Sequence, residues 1–171
     1  MTQDNKHQDF MTPLVPHVDL GSGEVLSDGL TKALVVYAQK YELDPYRSHV
    51  VLMYGKPYIT IDGYLYHAFK SQKPYTLWSR PLTEKERGQY QIEAEDHAWV
   101  AEAQFTDTGS TFTGLGVVTQ GEITAKSERN PVKLRSPVVA AHPWLLAQKR
   151  AEWQALRRAF PIGEGEKAPT E

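Results

Sequence analysis

Apolar positions recur along this chain with two different periods, and those periods outline its elements. Residues 1–26 show neither period. They are polar, interrupted by Pro13, Pro16, Gly21 and Gly23, and read as a flexible or loosely docked arm. From Ser27, a good N-cap, Leu30, Leu34, Tyr37 and Tyr41 recur at spacings of 4, 3 and 4, which predicts a helix. Leu43-Asp44-Pro45 ends it, because the residue before a proline avoids helical geometry. Two strand-like runs follow, 49–54 and 58–61, with Gly55-Lys56-Pro57 as the joining turn of a hairpin. Asp62-Gly63 closes the second run, and a short helix is expected over residues 64–70.

The middle of the chain is rich in strand signal. Residues 75–78 predict a short strand. Residues 97–105 predict a longer one with Trp99, Ala101, Ala103 and Phe105 on one face. Thr108-Gly109-Ser110 turns the chain back into a strand over 111–118, where Gly114 and Gly116 suggest a bulge or a close backbone approach. Residues 126–140 read as a basic connector carrying prolines. The last element is a helix entered through His142-Pro143 and closed by Pro161. On a wheel of about 100° per residue, Leu145, Leu146, Trp153, Leu156 and Phe160 share one arc, interrupted by Lys149. Arg150 and Arg157 stand on its rim, and Ala151, Ala155 and Ala159 form a smooth strip on the far side.

These elements predict an α+β fold, an antiparallel sheet or hairpin core backed by helices and completed by a basic C-terminal helix. The expected organisation is an arm at 1–26, one folded domain at 27–160 and a short acidic tail at 161–171. The chain has 171 residues, 40% hydrophobic and 23% charged, proportions usual for a soluble globular protein. No apolar run approaches the roughly 18 residues that span a membrane, and residues 1–7 lack a signal layout, so a cytoplasmic location is expected.

Charge changes the picture more than composition does. The net formal charge is −2, but it is unevenly placed. Residues 83–107 hold seven acids and two bases, a net of −5, whereas residues 124–158 hold eight bases and two acids, a net of +6. Such a bipolar chain suits phosphate binding, head-to-tail association or internal ion pairing. Absence of cysteine excludes disulfides, zinc–thiolate sites and cysteine nucleophiles. The six histidines show no metal-ligand spacing, and there is neither a Walker loop nor a G-x-S-x-G elbow. Asp62 and the cluster Glu93-Ala94-Glu95-Asp96 are the carboxylates open to a small metal-dependent nuclease, a reading without the expected Glu-x-Lys. A solvated turn accounts for the cluster equally well.

Three blocks, read in order, resemble the RecT/Redβ (Bet) family of phage single-strand annealing proteins. The first is Tyr41-Glu42-Leu43-Asp44-Pro45-Tyr46, similar to the family's helix-ending turn. The second is Lys56-Pro57-Tyr58-Ile59-Thr60-Ile61-Asp62-Gly63-Tyr64, similar to its strand that ends in Asp-Gly-aromatic. The third is His142-Pro143, followed by Lys149-Arg150-Ala151 and Ala155-Leu156-Arg157-Arg158-Ala159-Phe160. The usual aromatic-Asp-Gly after the first helix is replaced around Lys73-Pro74-Tyr75-Thr76, and position 148, basic in well-known members, is Gln148.

The resemblance implies DNA single-strand annealing in homologous recombination, without nucleotide hydrolysis and without a catalytic residue, by a ring or helical filament of identical subunits. Arg150 and Arg157 match positions on the family's DNA-binding helix, and Lys149 matches loosely. Arg158, Lys133, Arg135, Arg47 and Lys56 complete the expected set of strand-binding cations. Single-stranded DNA and the annealed duplex are the expected partners. A phage exonuclease or a host single-strand-binding protein is a further one, although the module that recruits them in larger members is not expected here. No cofactor is expected, with assistance by Mg²⁺ left open. An alternative from another class is a recombination accessory module that coats single strands without annealing them, stacking bases on Trp78, Trp99, Trp144 or Trp153.

Overall fold

The computed structural model describes residues 18–128 and 130–163. Their fold is α+β, with two antiparallel sheets among the described residues. The chain forms two compact units that meet in sequence between Ile59 and Thr60.

The first unit holds helix α1 (Asp28–Lys40) and a hairpin of β1 (Val50–Met53) and β2 (Lys56–Ile59). Ser27 caps α1 as anticipated, its hydroxyl accepting from the Leu30 amide at 3.3 Å. The buried side of α1 is Leu34 and Ala38, while Leu30 is 45% exposed and Tyr37 half-buried. α1 ends before Asp44-Pro45, with Tyr41 as its C-cap and Glu42 left-handed at φ 54°, and Asp44-Pro45 opens a single 3₁₀ turn, Pro45–Arg47. The buried His49 accepts from the Asp44 amide through Nδ1 at 3.2 Å.

The hairpin turn is Tyr54-Gly55, not the anticipated Gly55-Lys56-Pro57, since Met53 pairs with Lys56. Both turn residues have positive φ, 52° and 74°. That is the two-residue turn whose twist suits antiparallel strands. Pro57 therefore sits inside β2, opposite Leu52.

Residues 1–17 of the anticipated arm lie outside the described residues. Residues 18–26 are firmly docked, with Val18 bridging Val25. Asp19, 5% exposed, accounts for this. Its carboxylate accepts from the amides of Gly21 (2.8 Å), Ser22 (3.0 Å), Tyr54 (2.8 Å) and Gly55 (2.6 Å). One side chain thereby ties its own turn to the tip of the hairpin. Those amides, Ser22 and Gly55 foremost, hold its pKa at about 2, down from 3.8, because they favour the ionised form.

The second unit is a three-stranded antiparallel sheet, order β3-β4-β5, covered on one face by a long helix. Thr60 and Ile61, read in sequence as strand, are instead the cap and first residue of α2 (Ile61–Ser71), Thr60 Oγ1 accepting from the Gly63 amide. The strands are β3 (Tyr75–Pro81), longer than anticipated, β4 (His97–Phe105) and β5 (Thr111–Val118). Three short helices had not been anticipated, the third of them within the basic connector. Helix α3 (Glu84–Tyr90) starts with a capping box between Thr83 and Glu86. Helix α4 (Gln120–Thr124) is capped by Thr119 at its Glu122 amide. Arg80 on β3 donates twice to Glu86, both at 2.7 Å, and holds that carboxyl well below the usual range. Lys126 forms a bridge with Leu134, and α5 (Pro137–Ala141) follows.

The closing helix, α6 (Pro143–Ala159), buries a different face from the one its large residues suggest. Ala147, Ala151 and Ala155 are completely buried against the sheet, with Leu156, Ala159 and Phe160 also buried. Leu145 is 37% exposed, and Leu146 and Trp153 are half-buried. The reason lies on β5. A methyl group at Gly116 would collide with the Ala147 carbonyl and the Ala151 nitrogen. One at Gly114 would collide with the Ala151 carbonyl and the Ala155 nitrogen. With no side chains between, the helix backbone rests on the strand backbone. The far end of the interface is closed by aromatics, Phe160 meeting Phe105 at 5.2 Å and Tyr75 at 5.0 Å edge-to-face. Helix α2 packs on α6 as well, Tyr64 meeting Trp153 at 5.9 Å.

Two predictions follow from these contacts. Gly116→Ala is expected to lower the unfolding free energy by about 1–3 kcal/mol or more through overpacking. Gly88→Ala, on α3 with nothing within 4 Å of the new methyl, should leave it unchanged or slightly raised. Urea denaturation compares the two. For Asp19 the folded pKa lies below the unfolded one, so its contribution is present above pH 3.8 and is lost as pH falls towards about 2. The protection of the Tyr54 and Gly55 amides against hydrogen exchange, relative to their intrinsic rates, should fall over that window, and Asp19→Asn should show the loss at neutral pH.

Candidate nucleic-acid interface

The cations of α6 fall on two sides of the helix, with different work. Arg150, Gln154 and Arg158, spaced by four, lie on one stripe. That stripe runs along β5, an outer strand of its sheet. Arg150 donates to the Val117 carbonyl and Arg158 to the Thr113 carbonyl, while the Gln154 side-chain oxygen accepts from the Leu115 amide at 3.2 Å. Residues 113, 115 and 117 alternate along the strand, so the helix grips three successive positions that share one direction.

Arg150 is further committed. Its guanidinium meets both oxygens of Glu122 on α4, at 2.8 and 3.2 Å, in a two-pronged ion pair. Arg157 is different. It is exposed, and its guanidinium carbon lies 5.4 Å from the centre of the Trp153 ring. Trp153, Gln154, Arg157 and Arg158 together line a cleft of about 320 Å³. Arg150 and Arg157, although seven residues apart on one helix, therefore do not form a single row of equivalent cations.

The remaining anticipated cations are dispersed. Lys149 is exposed on α6. Lys133 and Arg135 are exposed on the loop that follows α4, where the Ser127 backbone amide donates to the Lys133 carbonyl and the Arg135 backbone amide to the Ala125 carbonyl. Arg47 and Lys56 belong to the first unit, both exposed, Arg47 beside Asp44 at 3.5 Å. On the opposite side of α6, Gln148 and Ser79 both donate to Glu152, at 2.9 and 2.6 Å. Gln148 thus anchors the helix to β3.

The partners Glu122 and Gln154 escaped the sequence reading. The spacing of Arg150, Gln154 and Arg158, and the cap pattern Thr119-Gln120-Gly121-Glu122, were the available signals. The acidic residues 93–96 form a turn held by Arg87, which donates to the Glu93 and Asp96 carbonyls, and Asp96 caps α4 at the Gln120 amide. Among the described residues no group of His, Asp and Glu is arranged to hold a metal ion, and no helix is long and apolar enough to cross a membrane.

The two arginines should separate in a stability measurement. Arg150→Ala removes an ion pair and a carbonyl bond and is expected to cost about 1–2 kcal/mol in chemical denaturation. Arg157→Ala, which removes the aromatic contact with Trp153, should cost about 0.5–1 kcal/mol.

Comparison of the chain with protein-family models, with characterised proteins and with solved structures gives no match.

Proposed function

We propose that this chain binds single-stranded DNA through its phosphates and anneals complementary strands without nucleotide hydrolysis. The observation that carries the reading is the end of α6. Arg157 and Arg158 are exposed beside Trp153 in one cleft, at positions where the sequence resembles the DNA-contacting helix of the RecT/Redβ family. An annealing protein has to hold a strand by its backbone and leave the base edges free to pair. Guanidinium groups facing solvent suit that task, because phosphate contacts position a strand without reading it. The exposed Lys133 and Arg135 add positive charge in the same unit. A single subunit offers few cations, so the reading includes an assembly of identical subunits, a ring or filament, that multiplies weak contacts along one strand. An exonuclease or a single-strand-binding protein would supply or receive the strands.

A second reading, coating of single strands without annealing, is favoured by the exposure of Trp78 (44%) and Trp144 (51%), which offers faces for base stacking. Pairing kinetics separates the two. Two complementary oligonucleotides mixed with the protein in EDTA and without ATP are expected to pair faster than without protein. Binding without acceleration would leave the coating reading, and no binding would remove both. Affinity should fall with rising salt, and Arg157→Ala should reduce the slope of log K against log salt by about 0.7, the value for one phosphate contact on a single strand.

A further inference from the structure

The last turn of α2 and the chain leading into β3 form a cleft of about 620 Å³, lined by Phe69, Lys70, Lys73 and Tyr75 among others, with no acidic side chain in its wall among the described residues. Phe69 is 80% exposed. A phenyl ring so far out of the core contributes little to packing, and as a single ring it is too small to form an apolar docking patch. Both lysines follow it in sequence, one and four residues on. Lys70 Nζ lies 5.8 Å from the Tyr66 ring centre and Lys73 Nζ lies 3.7 Å from that of Phe105, so both ammonium groups have fixed aromatic seats while their residues remain exposed. The turn that presents them is itself held. Gln72 adopts a left-handed conformation at φ 54°, Ser71 donates to the Ala68 carbonyl at 2.7 Å, and the Lys73 amide donates back to Ser71 Oγ at 3.2 Å. The Pro74 carbonyl then accepts from the Thr106 amide at 3.1 Å, fastening the start of β3 to the loop after β4.

We propose that this cleft is a strand-binding subsite, in which one base of a single-stranded DNA stacks on Phe69 and adjacent phosphates meet Lys70 and Lys73. The proposal rests on the reading of the chain as a single-strand binder and adds a second contact region, on α2, to the end of α6. The chemistry is specific to a nucleic acid without being specific to its sequence. Every base has a face for the ring, and the two cations make a pair of charges for a polyanion. An opposing acidic protein would match the lysines but would leave the exposed phenyl ring without a flat partner.

The test measures binding of the full chain to a labelled short oligo(dT) and to the same strand with abasic sites through its centre, across a salt series. Phe69→Ala is expected to weaken oligo(dT) binding about fivefold or more, leave the salt slope unchanged, and have no effect on the abasic strand. Lys70→Gln with Lys73→Gln is expected to reduce the salt slope by about 1.4 for both strands. All three residues are exposed, and thermal unfolding is followed alongside. Wild-type binding with unchanged affinity and slope in these variants overturns the subsite and leaves single-strand binding standing. Equal weakening of both strands by Phe69→Ala, or a lowered unfolding midpoint, assigns Phe69 a structural role and also overturns it. A wild-type chain that binds neither strand removes the subsite together with the function it rests on.

Discussion

The contact between α6 and β5 is made by what is missing from both partners. Gly114 and Gly116 offer no side chain, and Ala147, Ala151 and Ala155 offer the smallest ones, so backbone meets backbone. Close approach of this kind gathers many weak dispersion contacts over a short length and tolerates no added volume. It also fixes the helix in register along the strand. With the alanines seated on the glycines, the stripe of Arg150, Gln154 and Arg158 falls beside Val117, Leu115 and Thr113, and long side chains reach backbone groups that a more distant helix would leave to water. The same seating turns Gln148 and Glu152 towards Ser79 on β3. The positions of the cations on α6 are therefore consequences of a glycine–alanine interface.

That dependence explains what was legible beforehand. β4 and β5 were readable because alternation and the turn at Thr108-Gly109-Ser110 agree with each other, and both strands run over the residues anticipated. The extent of α6 was readable from its two prolines and its periodicity. Its orientation was not. A hydrophobic wheel weighs side chains by size, and Leu145, Leu146 and Trp153 outweigh four alanines. Only the glycines on a distant strand, which make room for an alanine face, reverse the result. The hairpin turn was displaced for a related reason: Gly55-Lys56-Pro57 contains the residues of a common turn, but register across the strands selects Tyr54-Gly55, with a tyrosine accepting positive φ.

The candidate site was legible as a set of cations and not as an arrangement. Sequence spacing identifies Arg150 and Arg157 as cations of one helix and sets Trp153 four residues before Arg157, but it does not pair Arg150 with Glu122 on another helix. An arginine held at two oxygens of a carboxylate and at a carbonyl is chiefly a fastening, whereas one lying across an indole keeps an outward surface. Residue type was the same and environment decided the difference. Asp19 makes the same point in the first unit. It is one acid among many in a polar stretch, and four amides convert it into the link between that stretch and the hairpin tip.

The stripe along β5 has a meaning for growth of the sheet. An outer strand presents outward N–H and C=O groups to which any extended chain can add, and uncontrolled addition is the route to edge-to-edge aggregation. Here three successive outward positions already carry side-chain partners from α6, so an incoming strand would first have to break them. Strand addition at this edge is disfavoured whether the newcomer is an unfolded neighbour or a folded copy. Arg150 and Arg158 are thus guards of a sheet edge as well as fastenings of a helix.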